Sequence, residues 1–101
     1  MQRKGLGVRK FGKVDNEQDE VVDFLRAMGA NVAITSSVGS GFPDLVVEYR
    51  GDIYLMEVKG DKGKLTKDQV EFHDKWNRFD TTVYVVRNHK DAYRVITGRE
   101  L

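Results

Sequence analysis

The sequence contains no cysteine and only two histidines, His73 and His89. Without thiols there is no disulfide scaffold and no cysteine-ligated zinc or iron–sulfur site, and two histidines are too few for a histidine-rich zinc centre. No run approaches the ~18 to 20 apolar residues of a membrane span, and no apolar signal-peptide block follows the basic start, so no membrane partner is expected. Repeats and internal linkers are also lacking. What remains is a chain of 101 residues, 40% hydrophobic and 33% charged, the balance of one soluble globular core. Its expected location is the cytoplasm.

Charge of one sign is missing from the first 13 residues, which hold Arg3, Lys4, Arg9, Lys10 and Lys13 and no acid. The net charge is only +1, so the remainder is mildly acidic. Gly5, Gly7 and Gly12 interrupt this segment, which reads as a flexible basic arm over 1–13 ahead of a domain over 14–101. The arm is either a solvated tail or a tether that tracks a phosphate backbone.

Asp15 is placed to cap a helix running to about Met28, with Val21, Val22, Phe24, Leu25 and Met28 as its apolar stripe and Gly29 at its end. Val32 to Thr35 reads as a short strand, followed by the small-residue loop Ser36 to Pro43. Asp44 to Tyr49 and Ile53 to Lys59 are β-rich runs around a hairpin signal, Arg50-Gly51-Asp52. After the loop Gly60 to Lys64, a helix is expected from Thr66 to about Phe79, then a strand from Thr82 to Val86 and a short helix over 90–96. The order αβββαβ predicts an α/β fold with a mixed sheet flanked by helices. Phe72 and Trp76 are expected in the core, His73 packed against the sheet, and His89 in a turn.

Closing the hairpin brings Asp44, at the start of one strand, beside Glu57 and Lys59, at the end of the next. Alternation then puts Glu57 and Lys59 on one face and Val58 on the other. Two adjacent carboxylates need a proton or a cation between them. A hard ion such as Mg²⁺ takes oxygen ligands, typically one or two carboxylates, with water and substrate phosphate in the remaining positions. Lys59 would then stand near an attacking water or a scissile phosphate. Taken separately, a Glu-x-Lys pair is an ordinary solvent-facing feature and Asp after Pro an ordinary turn. Their joint arrival where an apolar strand meets a glycine loop favours a site.

Pro43-Asp44 followed by Glu57-Val58-Lys59, in this element order, resembles the PD-(D/E)XK nuclease superfamily. Gly41-Phe42-Pro43-Asp44-Leu45, Tyr54-Leu55-Met56-Glu57-Val58-Lys59-Gly60 and Leu65-Thr66-Lys67-Asp68-Gln69 are most similar to the small phage-type VRR-NUC nucleases, with Holliday junction resolvases related over the same core. The resemblance covers about residues 15 to 87. It implies a Mg²⁺- or Mn²⁺-dependent DNA endonuclease, with Asp44, Glu57 and the Val58 carbonyl as metal ligands and Lys59 as the catalytic lysine. Gln69 matches a glutamine that supports the site, although Thr66-x-x-Gln69 is equally a helix capping box.

Many relatives add a glutamate from the first helix. Here the helical wheel puts Gln18 nearest the centre of the stripe, Glu17 at its margin and Glu20 further round, where it would be solvated. Glu17 and Gln18 are both kept as candidate ligands. The loop containing Ser40 is either a connector or a phosphate contact, and Lys62, Lys64 and Lys67 extend a positive rim for DNA backbone. No base-reading element is visible, so a preference for DNA structure rather than sequence is expected, and the resemblance to Holliday junction resolvases implies branched or junction DNA. A domain this small is expected to pair as a homodimer. The alternative is a non-catalytic nucleic-acid-binding module on the same fold, which leaves the two gathered acids unexplained.

Overall fold

A computed structural model describes residues 16–101. Arg3, Lys4, Arg9, Lys10, Lys13 and the expected Asp15 cap lie outside these residues. In chain order the elements are α1 (Asn16–Ala27), β1 (Asn31–Ile34), β2 (Leu45–Tyr49), β3 (Asp52–Val58), α2 (Lys67–Trp76), β4 (Val83–Val86) and α3 (His89–Thr97). The sheet order is β1-β2-β3-β4, with the first two pairings antiparallel and β3–β4 parallel. This is the mixed α/β sheet expected from the sequence, with α2 as the crossover that a parallel pair requires.

Each boundary has a local cause. Gly29, at φ +96°, turns the chain out of α1. Arg50 and Gly51 both have positive φ, as a two-residue hairpin matching the strand twist demands. The resulting register sets Tyr49 opposite Asp52 and Leu45 opposite Met56. One face of the sheet is covered by α1 and α3: Leu45, Val47, Met56 and Val86 join Val21, Val22, Leu25, Ala92 and Ile96 in the core. Val58 packs at its margin, on the face opposite Glu57.

Three expectations need correction. Helix α2 stops at Trp76 rather than Phe79, because Asn77 takes the C-cap and its side-chain oxygen accepts the Val83 N–H at 2.7 Å. Phe79 is left almost wholly exposed. Trp76 is not a core residue: it is 44% exposed, stacked on Phe72 at 4.6 Å with Phe42 edge-on to both. Phe72 itself is half-buried. His89 is not in a turn but opens α3, where Nδ1 pairs with Glu20, so Glu20 is exposed yet partnered. That bond and the Phe24–His89 ring contact join α1 to α3, a tertiary pairing that no local pattern encodes.

Candidate active site

Extending the β2–β3 register by one pair beyond Leu45 and Met56 sets Asp44 opposite Glu57. The base of the 36–43 loop holds Asp44 there. Thr35 N–H donates to the Asp44 carbonyl at 2.7 Å, and the Thr35 hydroxyl donates to the Pro43 carbonyl at 2.8 Å. The loop is also pinned to α2. Gly41, at φ +79°, lies so close to the helix that an added Cβ would sit 2.2 Å from the Asp68 carbonyl oxygen. Only glycine tolerates both that backbone angle and that approach. Asp44 Oδ2 then accepts the Val58 N–H at 2.9 Å, a bond from side chain to strand where the ladder ends.

Glu57 is completely buried. From α2, Gln69 Nε2 donates to its Oε2 at 3.0 Å, and His73 Nε2 lies 3.3 Å from its Oε1. Residues four apart share a helix face, so one turn of α2 grips both carboxylate oxygens. Burial, a hydrogen bond to Asp44 and the Asp44 charge together push the Glu57 carboxyl up to about 8, while the Lys59 charge pulls the other way. Below that pH Glu57 holds a proton. Burial first, then the Lys59 charge, lowers the His73 pKa, with Asp74 opposing, which favours the neutral imidazole. No buried side-chain polar atom among the described residues is left without a partner.

Lys59 is half-buried, and its backbone N–H donates to the Val86 carbonyl at 3.0 Å at the end of β4. Gln69 is held by the capping box: Thr66 N–H donates to its Oε1 at 2.9 Å, and its own N–H donates to the Thr66 hydroxyl at 3.2 Å. Lys62, Lys64 and Lys67 are exposed along the following loop and the start of α2. Ser40 is exposed at φ +56° in the loop ahead of Asp44.

The helical wheel favours Gln18, but it is Glu17 whose carboxylate reaches the loop, its Oε2 2.9 Å from where a Cβ on Gly60 would stand. Side chains lean toward a helix N-terminus, so a first-turn residue can reach past the sheet edge. The Gln18 side chain makes no hydrogen bond to a described residue. Among the described residues no three His, Asp or Glu side chains form a metal-holding group by themselves.

Two residues here escape the sequence reading. His73 was legible only as packing, although its spacing of four from Gln69 is a signal for a shared face. Arg87, just after β4, donates from Nη1 to the carbonyls of Gly60 and Gly63, the latter at 2.8 Å. Nothing in the sequence links it to Lys59; the β3–β4 register does.

The VRR-NUC domain profile matches residues 7–90, most of the chain. The chain belongs to the VRR-NUC domain family. The match begins inside the segment read as a basic arm and so extends beyond residues 15 to 87 at both ends. A solved structure described as a VRR-NUC domain is similar at 29% identity and a TM-score of 0.66, over 81% of this chain and 92% of that one. No curated protein matches. VRR-NUC domains are nuclease domains, and this chain carries that fold with Asp44 and Glu57 brought together at the end of the β2–β3 hairpin.

Proposed function

We propose that this VRR-NUC domain is a divalent-metal-dependent DNA endonuclease that hydrolyses phosphodiester bonds, selecting branched or junction DNA by shape. The observation that carries the reading is the Asp44–Glu57 pair: two carboxyls in hydrogen-bonding reach, one wholly buried and driven to hold a proton. Setting a second carboxylate against a buried one is costly unless something positive offsets them. The donor set is all oxygen, which fits Mg²⁺ or Mn²⁺. Asp44, Glu57 and the Val58 carbonyl would hold the ion, with Glu17 from the adjoining loop contact as a further candidate and Gln18 a weaker one. When bound, the ion would supply Lewis-acid polarisation of the phosphate and a more acidic water.

The chain's own residues account for the rest. Gln69 and His73 fix the Glu57 carboxylate in one orientation, so little reorganisation is left for the reaction. Lys59 brings an ammonium to the same end of the sheet, where it can orient the attacking water and offset charge that builds on the phosphate. Lys62, Lys64 and Lys67 provide contacts to DNA backbone that carry no sequence information. The arm residues Arg3, Lys4, Arg9 and Lys10 would add to them, and Ser40 is a further candidate contact. A homodimer is supported by apolar side chains left exposed on the α2 side of the sheet, Ile53 at 62% and Val85 at 37% among them. No helix among the described residues is long and apolar enough to cross a membrane.

The test is cleavage of supercoiled plasmid and synthetic four-way junctions in Mg²⁺, Mn²⁺ or EDTA. Metal-dependent cleavage that falls about 100-fold or more in folded Lys59→Ala supports the reading. Binding without cleavage in every metal overturns it in favour of a non-catalytic DNA-binding module. Light scattering on the same samples reads the oligomeric state.

A further inference from the structure

The turn after Lys59 is fastened from outside itself. Its own hydrogen bond is a single one, from the Gly63 N–H to the Gly60 carbonyl at 3.0 Å. The other bonds of residues 60–64 to described residues come from one side chain. Arg87 Nη1 donates to the carbonyls of Gly60 and Gly63, the latter at 2.8 Å, and lies 3.4 Å from that of Asp61. Packing adds little, because Asp61, Lys62 and Lys64 are exposed. Arg87 is itself anchored: its backbone N–H donates to Asp91 Oδ2 at 2.8 Å, in the first turn of α3. The parallel pairing sets Val58 beside Val86, and the Lys59 N–H donates to the Val86 carbonyl. Strand alternation therefore puts Arg87 on the side of the sheet that carries Glu57 and Lys59. The fastened turn lies against two candidate site residues. Lys59 Cβ is 3.3 Å from where a Cβ on Gly63 would stand, and the Glu17 carboxylate is 2.9 Å from where one on Gly60 would.

We propose that Arg87 is a positioning residue for Lys59. By tying residues 60–63 to the end of β4, it sets the Gly63 backbone as a wall against the root of the lysine and narrows where the ammonium can stand. This assignment deepens the nuclease reading and rests on it. A guanidinium suits the task, since it is always charged and its planar fork of donors can gather several carbonyls at once. Arg87 is half-buried and its Nη1 is engaged by carbonyls, so its effect on the reaction passes through the turn. A displacement of about 1 Å at a reacting group can cost on the order of 100-fold in rate, so a loosened wall should be felt in the chemical step.

The experiment is a double-mutant cycle in single-turnover cleavage of a four-way junction by the full chain. Arg87→Met keeps the apolar stem and removes the donors. It should slow cleavage at saturating DNA about 10- to 100-fold while the half-saturating DNA concentration stays nearly constant. In the Lys59→Ala background the same change should cost less than about 2-fold, because no ammonium is left to position. Arg87→Lys retains a charge and a donor and should recover part of the loss; it carries the cycle if the methionine variant does not fold. Metal-free amide exchange, followed by NMR, needs no cleavage: the Gly63 N–H should exchange about 10-fold faster in Arg87→Met, with the β3 and α1 amides unchanged. Unchanged Gly63 exchange, or equal losses in the two backgrounds, would overturn the proposal. A higher half-saturating concentration with no loss of rate would also overturn it, making Arg87 a DNA contact instead. Any of these results beside wild-type cleavage sinks the proposal alone. A wild type that cleaves nothing in either metal sinks the nuclease reading, and Gly63 exchange then reports whether Arg87 holds the turn.

Discussion

Gln69 bonds to Glu57 while serving as a helix cap: its Oε1 accepts the Thr66 N–H, and its Nε2 donates to Glu57 Oε2 at 3.0 Å. The capping box and the contact with the buried acid are thus one conformation of one side chain. Starting α2 correctly and orienting the carboxylate cannot be separated.

Variants of Gln69 should show this coupling. Gln69→Glu keeps an acceptor for the cap but aims a second carboxylate at Glu57, whereas Gln69→Ala loses both bonds. Each should destabilise the protein by about 1–3 kcal/mol. Thermal melts should show the Gln69→Glu penalty growing from pH 6 to pH 9, as the carboxylates ionise. A pH-independent penalty would mean that the two side chains do not meet.

The pH dependence of metal-free stability follows from Glu57. Its pKa in the folded protein, about 8, lies above its ordinary 4.5, so its contribution is fully present below about 4.5 and is lost as pH rises through 8. Metal-free Tm should therefore fall between about pH 5 and pH 8. Mg²⁺ or Mn²⁺ should raise Tm more at pH 8.5 than at pH 6, because a bound ion needs the carboxylate form. Scanning calorimetry with and without EDTA measures both.

Glu57→Gln mimics the protonated acid. It should stabilise the metal-free protein at pH 8.5, change little at pH 6, and abolish stabilisation by metal. Metal-free DNA binding should be unchanged at pH 6.5 and tighter at pH 9, where the native side chain is charged. Fluorescence anisotropy with a labelled duplex reads the difference.

Gly41 and Gly39 form a matched pair in one loop. Both have positive φ, but a Cβ on Gly41 would strike the Asp68 carbonyl, while one on Gly39 would meet nothing within 4 Å. Gly39→Ala should cost about 1 kcal/mol and Gly41→Ala about 2–4 kcal/mol. Urea denaturation at a constant m-value checks the ordering. Similar costs would mean that the loop does not rest on α2.

Trp76 is the sole tryptophan, and its exposure bears on how sequence relates to structure. Spacing of apolar residues identified α1, α2 and the four strands, because periodicity reports which face an element buries. It misassigned Trp76 because α2 covers only part of the sheet, and an aromatic at the right spacing can still overhang the edge. The signal Arg50-Gly51-Asp52 located the hairpin that brings Asp44 near Glu57, but the structure set its register by taking Asp52 into β3 opposite Tyr49. Local chemistry sufficed to place the turn, and a one-residue difference in its length is enough to shift the pairing.

The element order and the nearness of Asp44 to Glu57 were thus written in the sequence, because each depends on neighbours in the chain or on a hairpin between consecutive strands. Only the tertiary structure decided that Glu57 would be fully buried, that His73 would join Gln69 on its oxygens, and that Glu17 rather than Gln18 would reach Gly60. Arg87 on the loop after Lys59 belongs with these. All arise where α1, α2 and β4 pack against the sheet end, and the parallel β3–β4 pairing that sets Lys59 beside Arg87 joins residues 28 apart with no turn to specify it.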